Sequence, residues 1–105
     1  MRFVETRVFT RLVCAVLSDE SYRALQAALL LRPEQGALVR GGSGLRKLRW
    51  PLPGQGKRGG LRVLYYWDAG SDTIYMLYLY SKQEQEDLTA AQVRQLGRMI
   101  REELG

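Results

Sequence analysis

Leu61-Arg62-Val63-Leu64-Tyr65-Tyr66-Trp67-Asp68-Ala69-Gly70-Ser71-Asp72-Thr73-Ile74-Tyr75-Met76-Leu77-Tyr78-Leu79-Tyr80 holds two runs of β-branched, aliphatic and aromatic residues around a short polar link. Runs of this kind favour strands, and the link from Asp68 to Asp72 makes the pair an antiparallel hairpin. The second run is apolar on both faces, which predicts an interior position in a sheet. In the first run, Leu61, Val63, Tyr65 and Trp67 form one row, and Arg62, Leu64 and Tyr66 the other. If the larger apolar row faces helices, Arg62 emerges on the opposite surface.

Upstream, Leu45 to Trp50 reads as another strand, bounded by Pro51 and Pro53 and preceded by the turn Arg40-Gly41-Gly42-Ser43-Gly44. A glycine-rich turn from Gly54 to Gly60 joins it to the hairpin. Near the N-terminus Arg2 to Thr6 reads as a short strand. Val8, Leu12, Ala15 and Val16, with Phe9, Val13 and Leu17 beside them, then recur at helical spacing. Ser18 can cap a second helix whose first turn carries Asp19 and Glu20, with Tyr22, Leu25 and Leu29 as its buried stripe up to Pro33. Thr89 begins a last helix with Gln92 at capping-box spacing and Val93, Leu96, Ile100 and Leu104 along one side. The order is βααβββα. It predicts an α+β fold: a single antiparallel-rich twisted sheet, helices packed mainly on one face, the other face partly open.

The 105 residues fit one domain spanning 1–105. With 46% hydrophobic and 26% charged residues, the composition is that of a folded chain and excludes extensive disorder. No apolar stretch approaches the roughly twenty residues needed to cross a bilayer, and Glu5 and Arg7 interrupt the N-terminus before a signal peptide could form. A cytosolic protein without membrane contact is expected. Cys14 is the single cysteine, which excludes an internal disulfide, and its apolar helical setting predicts packing rather than nucleophilic chemistry. The chain has no histidine, so the usual zinc ligand and the usual neutral-pH proton shuttle are missing, and neither a metal nor a cofactor is expected.

Charge is distributed unevenly. From Gln35 to Trp67 there is no Asp or Glu, while Arg40, Arg46, Lys47, Arg49, Lys57, Arg58 and Arg62 fall in this stretch. The chain has 16 basic and 11 acidic residues, so outside this block 9 cations meet 11 anions, and the net charge of +5 is local. A solvated face normally mixes signs, so a block of one sign predicts a polyanionic partner.

Strand alternation projects Lys47 and Arg49 together, away from Arg46, Leu48 and Trp50, and Arg62 can join them from the next strand. Lys57 and Arg58 lie in the intervening loop among Gly54, Gly56, Gly59 and Gly60, whose backbone can approach a phosphate closely. Tyr78, Tyr80 and Lys82 reach the sheet border. Arginines grip phosphates bidentately and tyrosines stack on exposed bases, so this cationic and aromatic groove suits RNA, with Arg46, Lys57 and Arg58 as further RNA contacts. The formal GxGxxG match at Gly54-Gln55-Gly56-Lys57-Arg58-Gly59 is accidental, because a strand rather than a helix follows it.

The segments Gly44-Leu45-Arg46-Lys47-Leu48-Arg49-Trp50, Gly59-Gly60-Leu61-Arg62-Val63-Leu64-Tyr65-Tyr66 and Tyr80-Ser81-Lys82-Gln83-Glu84-Gln85-Glu86-Asp87-Leu88, in this order behind two helices, resemble the RelE/HigB-like toxins of bacterial toxin–antitoxin pairs. The resemblance covers most of the chain. It implies a small endoribonuclease that cleaves messenger RNA, commonly in the ribosomal decoding site, and is held inactive by a cognate antitoxin. It also implies paired basic residues at Lys47 and Arg49, a phosphate-binding arginine at Arg62, and an additional basic residue at Lys82. A tyrosine or histidine that some members carry further along is replaced here by the neighbourhood of Gln83 and Thr89.

Metal-free RNA cleavage employs the ribose 2′-hydroxyl as nucleophile. Arg62 is the expected clamp on the dianionic phosphorane, Lys47 the expected proton-transfer group because the cations Arg46, Arg49 and Arg62 surround it, and Tyr80 a second candidate. The alternative is a non-catalytic adaptor that holds RNA or the ribosome in the same groove. The antitoxin is expected to bring acids and an apolar stripe, either occupying the groove or displacing the last helix.

Overall fold

The structure, a computed structural model, describes residues 1–52 and 60–104. Its elements are β1 (Arg2–Glu5), α1 (Arg7–Val16), α2 (Asp19–Leu31), β2 (Ala37–Leu38), β3 (Arg46–Leu52), β4 (Gly60–Asp68), β5 (Thr73–Ser81) and α3 (Ala90–Met99), which runs on into a π-helical turn, Ile100–Leu104. Each helix starts where a side chain satisfies an orphan N–H. The Thr6 hydroxyl accepts from Phe9 N–H at 3.0 Å and donates to the Leu77 carbonyl at 2.9 Å, so the cap of α1 also pins it to β5. Ser18 accepts from Ser21 N–H, and Thr89 with Gln92 forms the reciprocal capping box of α3.

One sheet carries the strands in the order β1-β5-β4-β3-β2. The pairs among β2 to β5 are antiparallel, whereas β1 runs parallel to β5; α1 and α2 carry the chain from β1 at one edge of the sheet to β2 at the other. The α+β fold and the antiparallel-rich sheet agree with the sequence reading. β2 is an addition to it: two exposed residues set against Lys47 and Arg46. β3 also continues through Pro51, which is tolerated because the ladder to β2 ends well before it and a proline there removes no needed donor.

The helices divide between the two faces. Phe9 and Val13 of α1 and Leu25 and Leu29 of α2 pack on Leu48, Leu61, Val63, Tyr65, Ile74, Met76 and Leu79. Fully burying a side chain of this size contributes about 1.5–3 kcal/mol, enough for the helix pair to hold its place. Leu96 and Ile100, from α3 and the turn after it, cover Leu45, Leu64, Leu77 and Tyr80 on the opposite face. The helix pair α1–α2 on one face agrees with the expectation of helices mainly on one side; α3 covers the other face in part, because β4 and β5 present apolar rows on both sides and the second row needs its own cover. Gly97 sits where an added Cβ would come within 3.4 Å of the Gly42 backbone, so α3 also packs closely on the turn before β3.

A β-bulge interrupts the central pair. Leu64 lies opposite Tyr78 and Tyr65 opposite Met76, leaving Leu77 as an extra residue in β5.

Tyr65 is fully buried and ties the loop after α2 to the sheet. Its hydroxyl donates to the Pro33 carbonyl at 2.6 Å and accepts from Gly36 N–H at 2.9 Å. Tyr65→Phe strands both groups, so the expected loss is about 1–3 kcal/mol in a urea denaturation midpoint. A midpoint unchanged from wild type rejects the tether.

Candidate active site

The sheet register assembles one surface. Arg49 of β3 lies directly opposite Arg62 of β4, and Arg62 directly opposite Tyr80 of β5. Two residues along, Lys47 lies opposite Leu64 and Leu64 opposite Tyr78. Directly opposed residues have Cβ atoms about 4.5–5.5 Å apart. Lys47, Arg49, Arg62 and Tyr80 thus share the face that α3 partly covers, and Tyr78 and Tyr80 stand side by side with ring centroids 6.2 Å apart.

Their environments differ. Arg49 is exposed, while Arg62 is only 4% exposed, its guanidinium donating to the Leu61 carbonyl at 3.4 Å among its contacts. An arginine keeps its charge even when buried. Like charges placed directly opposite destabilise a strand pair, so the Arg49–Arg62 rung is electrostatically suited to an anion lying across it.

Asp87, in the loop between β5 and α3, reaches back to this surface. Its Oδ1 accepts from Lys47 Nζ at 3.2 Å and from Leu88 N–H at 2.8 Å. Those two donors, the backbone N–H first, hold its carboxyl below the usual carboxylate range. The loop is braced from within: Ser81 and Glu84 exchange side-chain and backbone hydrogen bonds, and Gln85 Nε2 donates to the Asp87 carbonyl and to Gln92 Oε1. Lys47 is consequently paired with a carboxylate instead of standing among cations alone, which corrects the sequence argument for its proton chemistry.

The Tyr80 hydroxyl is buried; the Asp87 carboxylate lies near it, but no group among the described residues meets it in hydrogen-bond geometry. Burial, with the charge of Asp87 as the next cause, pushes its pKa up to about 12 against an opposing contribution from Arg62. It is a protonated donor at neutral pH. An unsatisfied buried donor beside cations is poised for an acceptor such as a phosphate oxygen.

Other predicted residues lie apart. Arg46 points to the helix-pair face, where its guanidinium donates to the carbonyls of Glu34 at 2.9 Å and Gly36 at 2.8 Å. It braces the loop after α2 and leaves the groove, as strand alternation requires. Lys82 is exposed just beyond β5, its backbone N–H donating to the Gly60 carbonyl at 3.2 Å. Lys57, Arg58 and the GxGxxG segment lie outside the described residues.

Asp87 is the residue that sequence reasoning missed. It lies forty positions from Lys47 in the chain, outside the acid-free block, and its one visible signal was its place in the segment that carries the family resemblance. No group of three or more His, Cys, Asp or Glu among the described residues is arranged to hold a metal ion. No helix among them is long and apolar enough to cross a membrane. A cleft of about 200 Å³ opens between Thr6, Val8, Leu77, Gln92, Leu96 and Met99 and includes none of the cations.

Because the folded carboxyl of Asp87 titrates below its unfolded value of about 3.9, the Lys47–Asp87 tether contributes stability above that pH and loses it as pH falls through the folded value. Asp87→Asn keeps an acceptor for Leu88 N–H, so its destabilisation is expected to be constant well above the ordinary carboxylate range and to fade as pH falls through the depressed folded value, read in urea titrations at low ionic strength. A difference independent of pH assigns the effect elsewhere.

The family model for the RelE toxin of the RelE/RelB toxin–antitoxin system matches residues 1–103 of the chain.

Proposed function

The chain belongs to the RelE toxin family, and on that premise we propose that it is a metal-independent endoribonuclease that cleaves messenger RNA on the translating ribosome. A toxin of this kind has an antitoxin for its partner. The finer reading is that it is a HigB-like bacterial toxin acting in the cytoplasm, where its substrate is translated. The observation that supports cleavage most directly is the rung Arg49–Arg62–Tyr80 with Lys47 beside it on the same face.

In this reading a scissile phosphate lies over the rung. Arg62 holds two non-bridging oxygens in the plane of its guanidinium and stabilises the phosphorane, in which charge is greatest. Arg49 adds a second, more exposed clamp, and Tyr80 donates its hydroxyl to an oxygen that enters the buried end of the rung. Lys82 at the sheet border contacts the flanking backbone, and Lys57 and Arg58, which precede β4 in the chain, are further candidates for that contact. Lys47 carries a proton for the leaving 5′-oxygen. The ribosome supplies the in-line geometry, and alignment of this sort is worth several kcal/mol of barrier, which suits a site without histidine. The antitoxin presents acids and an apolar stripe to the groove or to the ground held by α3.

Translating ribosomes incubated with the protein are expected to yield codon-phased cuts with 2′,3′-cyclic phosphate and 5′-hydroxyl ends. Binding without new ends identifies the non-catalytic adaptor. Arg62→Ala is expected to slow cleavage by about 10² to 10³ while the circular dichroism spectrum stays native, since one preorganised donor is removed. Wild-type toxicity in a folded Arg62→Ala variant refutes the clamp. Co-expression with the product of the adjacent gene is expected to restore growth.

A further inference from the structure

The site contains five groups that chemistry can employ, and their states separate them. The guanidinium groups of Arg49 and Arg62 donate hydrogen bonds and accept none. Tyr80 is held protonated by burial. Lys47, engaged as a donor to Asp87, offers protons and no acceptor. Among the described residues of the site Asp87 alone is a carboxylate acceptor: of its roughly four lone-pair positions, Leu88 N–H and Lys47 Nζ take two on Oδ1, and the Tyr80 hydroxyl lies near it. It is 67% exposed, so a ribose arriving from solvent can reach it.

We propose that Asp87 and Lys47 form a proton-exchanging couple, Asp87 taking the proton of the 2′-hydroxyl and Lys47 giving one to the departing 5′-oxygen. The inference rests on the endoribonuclease reading and extends it with a residue and a division of labour. As the 2′-oxygen bonds to phosphorus, its proton passes to the Asp87 carboxylate. As the bond from phosphorus to the 5′-oxygen breaks, that oxygen takes a proton from the Lys47 ammonium. The products are a 2′,3′-cyclic phosphate and a 5′-hydroxyl. The couple is left as a carboxylic acid, protonated on the oxygen that Leu88 and Lys47 do not occupy, beside a neutral amine; release of that proton to water and uptake of one by Nζ restores the ion pair, 3.2 Å long in the resting protein. No metal, histidine or reagent other than water enters the balance.

The geometry favours this couple over a purely architectural pair. A salt bridge with one partner 67% exposed contributes little to stability, about 0–1 kcal/mol, so stability alone gives weak reason to place a carboxylate against the cationic row. A negative charge there also opposes phosphate binding, an expense that chemistry can justify. The brace of Ser81, Glu84, Gln85 and Gln92 holds the loop that presents Asp87, as a catalytic group requires.

The test is single-turnover cleavage on translating ribosomes, with mRNA carrying either the natural linkage or a 5′-bridging sulfur at the cut site. A thiolate departs without a proton, so sulfur relieves the need for the acid and not for the base. Asp87→Asn is expected to slow cleavage of both substrates by about 10² or more with ribosome affinity unchanged or tighter, and Asp87→Glu to recover part of the rate. Lys47→Met is expected to be slow on the natural linkage and largely rescued by sulfur. Thermal melts establish that the variants are folded. Asp87→Asn cleaving within about threefold of wild type, being rescued by sulfur, or failing through lost affinity each overturns the couple while wild-type cleavage leaves the endoribonuclease reading intact. Absence of cleavage by the wild type removes both.

Discussion

The register of β4 against its two neighbours governs both the fold and the chemistry. Side chains alternate with a period of two, so a slip of one residue would send Arg62 in among Phe9, Val13, Leu25 and Leu29 and turn Val63 towards α3. Burial on both sides makes that slip expensive: Leu61, Val63 and Tyr65 are fully buried on one face and Leu64 on the other. The same energy that chooses the pairing aligns Arg49, Arg62 and Tyr80. A site built on the middle of a sheet inherits its precision from the core, with little contribution from loop geometry.

Two layers of helix secure that arrangement unequally. The α1–α2 hairpin seals one face through its caps and its large buried side chains. α3 covers the other face only in part, meeting Leu45, Leu64, Leu77 and Tyr80 while leaving Arg49 in water. The loop leading into α3 carries Asp87, so the element that closes the second core also delivers the one carboxylate seen against the cationic row among the described residues. Packing and charge placement are joined through a single segment of chain.

Much of this was legible from residues alone, for identifiable reasons. Ser18, Thr89 and Gln92 advertise helix starts because capping is local chemistry, and alternation in Leu61 to Trp67 separates Arg62 from its apolar neighbours with no knowledge of the sheet. The common face of Lys47 and Arg49 follows from the same rule. Ala37–Leu38 escaped because two residues carry no period, and the side taken by α3 escaped because a helix stripe says that it packs without saying on what. Arg46 was grouped with its charged neighbours by composition, although its parity already placed it opposite them; the backbone carbonyls that hold it belong to a loop no pattern could position. The bond between Asp87 and Lys47 depends on a return of the chain over forty residues, which neither spacing nor propensity encodes.

Leu77 has an importance that its aliphatic side chain conceals. Ile74 and Met76 face the helix pair, and uninterrupted pleating would carry Tyr78 and Tyr80 to that side as well; the inserted residue resets the parity, so that Leu79 turns inward and Tyr80 joins Arg62. The distal third of β5 is in effect read in a different frame from its beginning. Losing the bulge while keeping every residue would leave the strand's length, composition and hydrophobicity untouched and yet exchange inside for outside at its end, whereas deleting Leu77 itself would leave Leu79 and Tyr80 on their present sides, a distinction invisible to any inspection that counts residue types and ignores their phase.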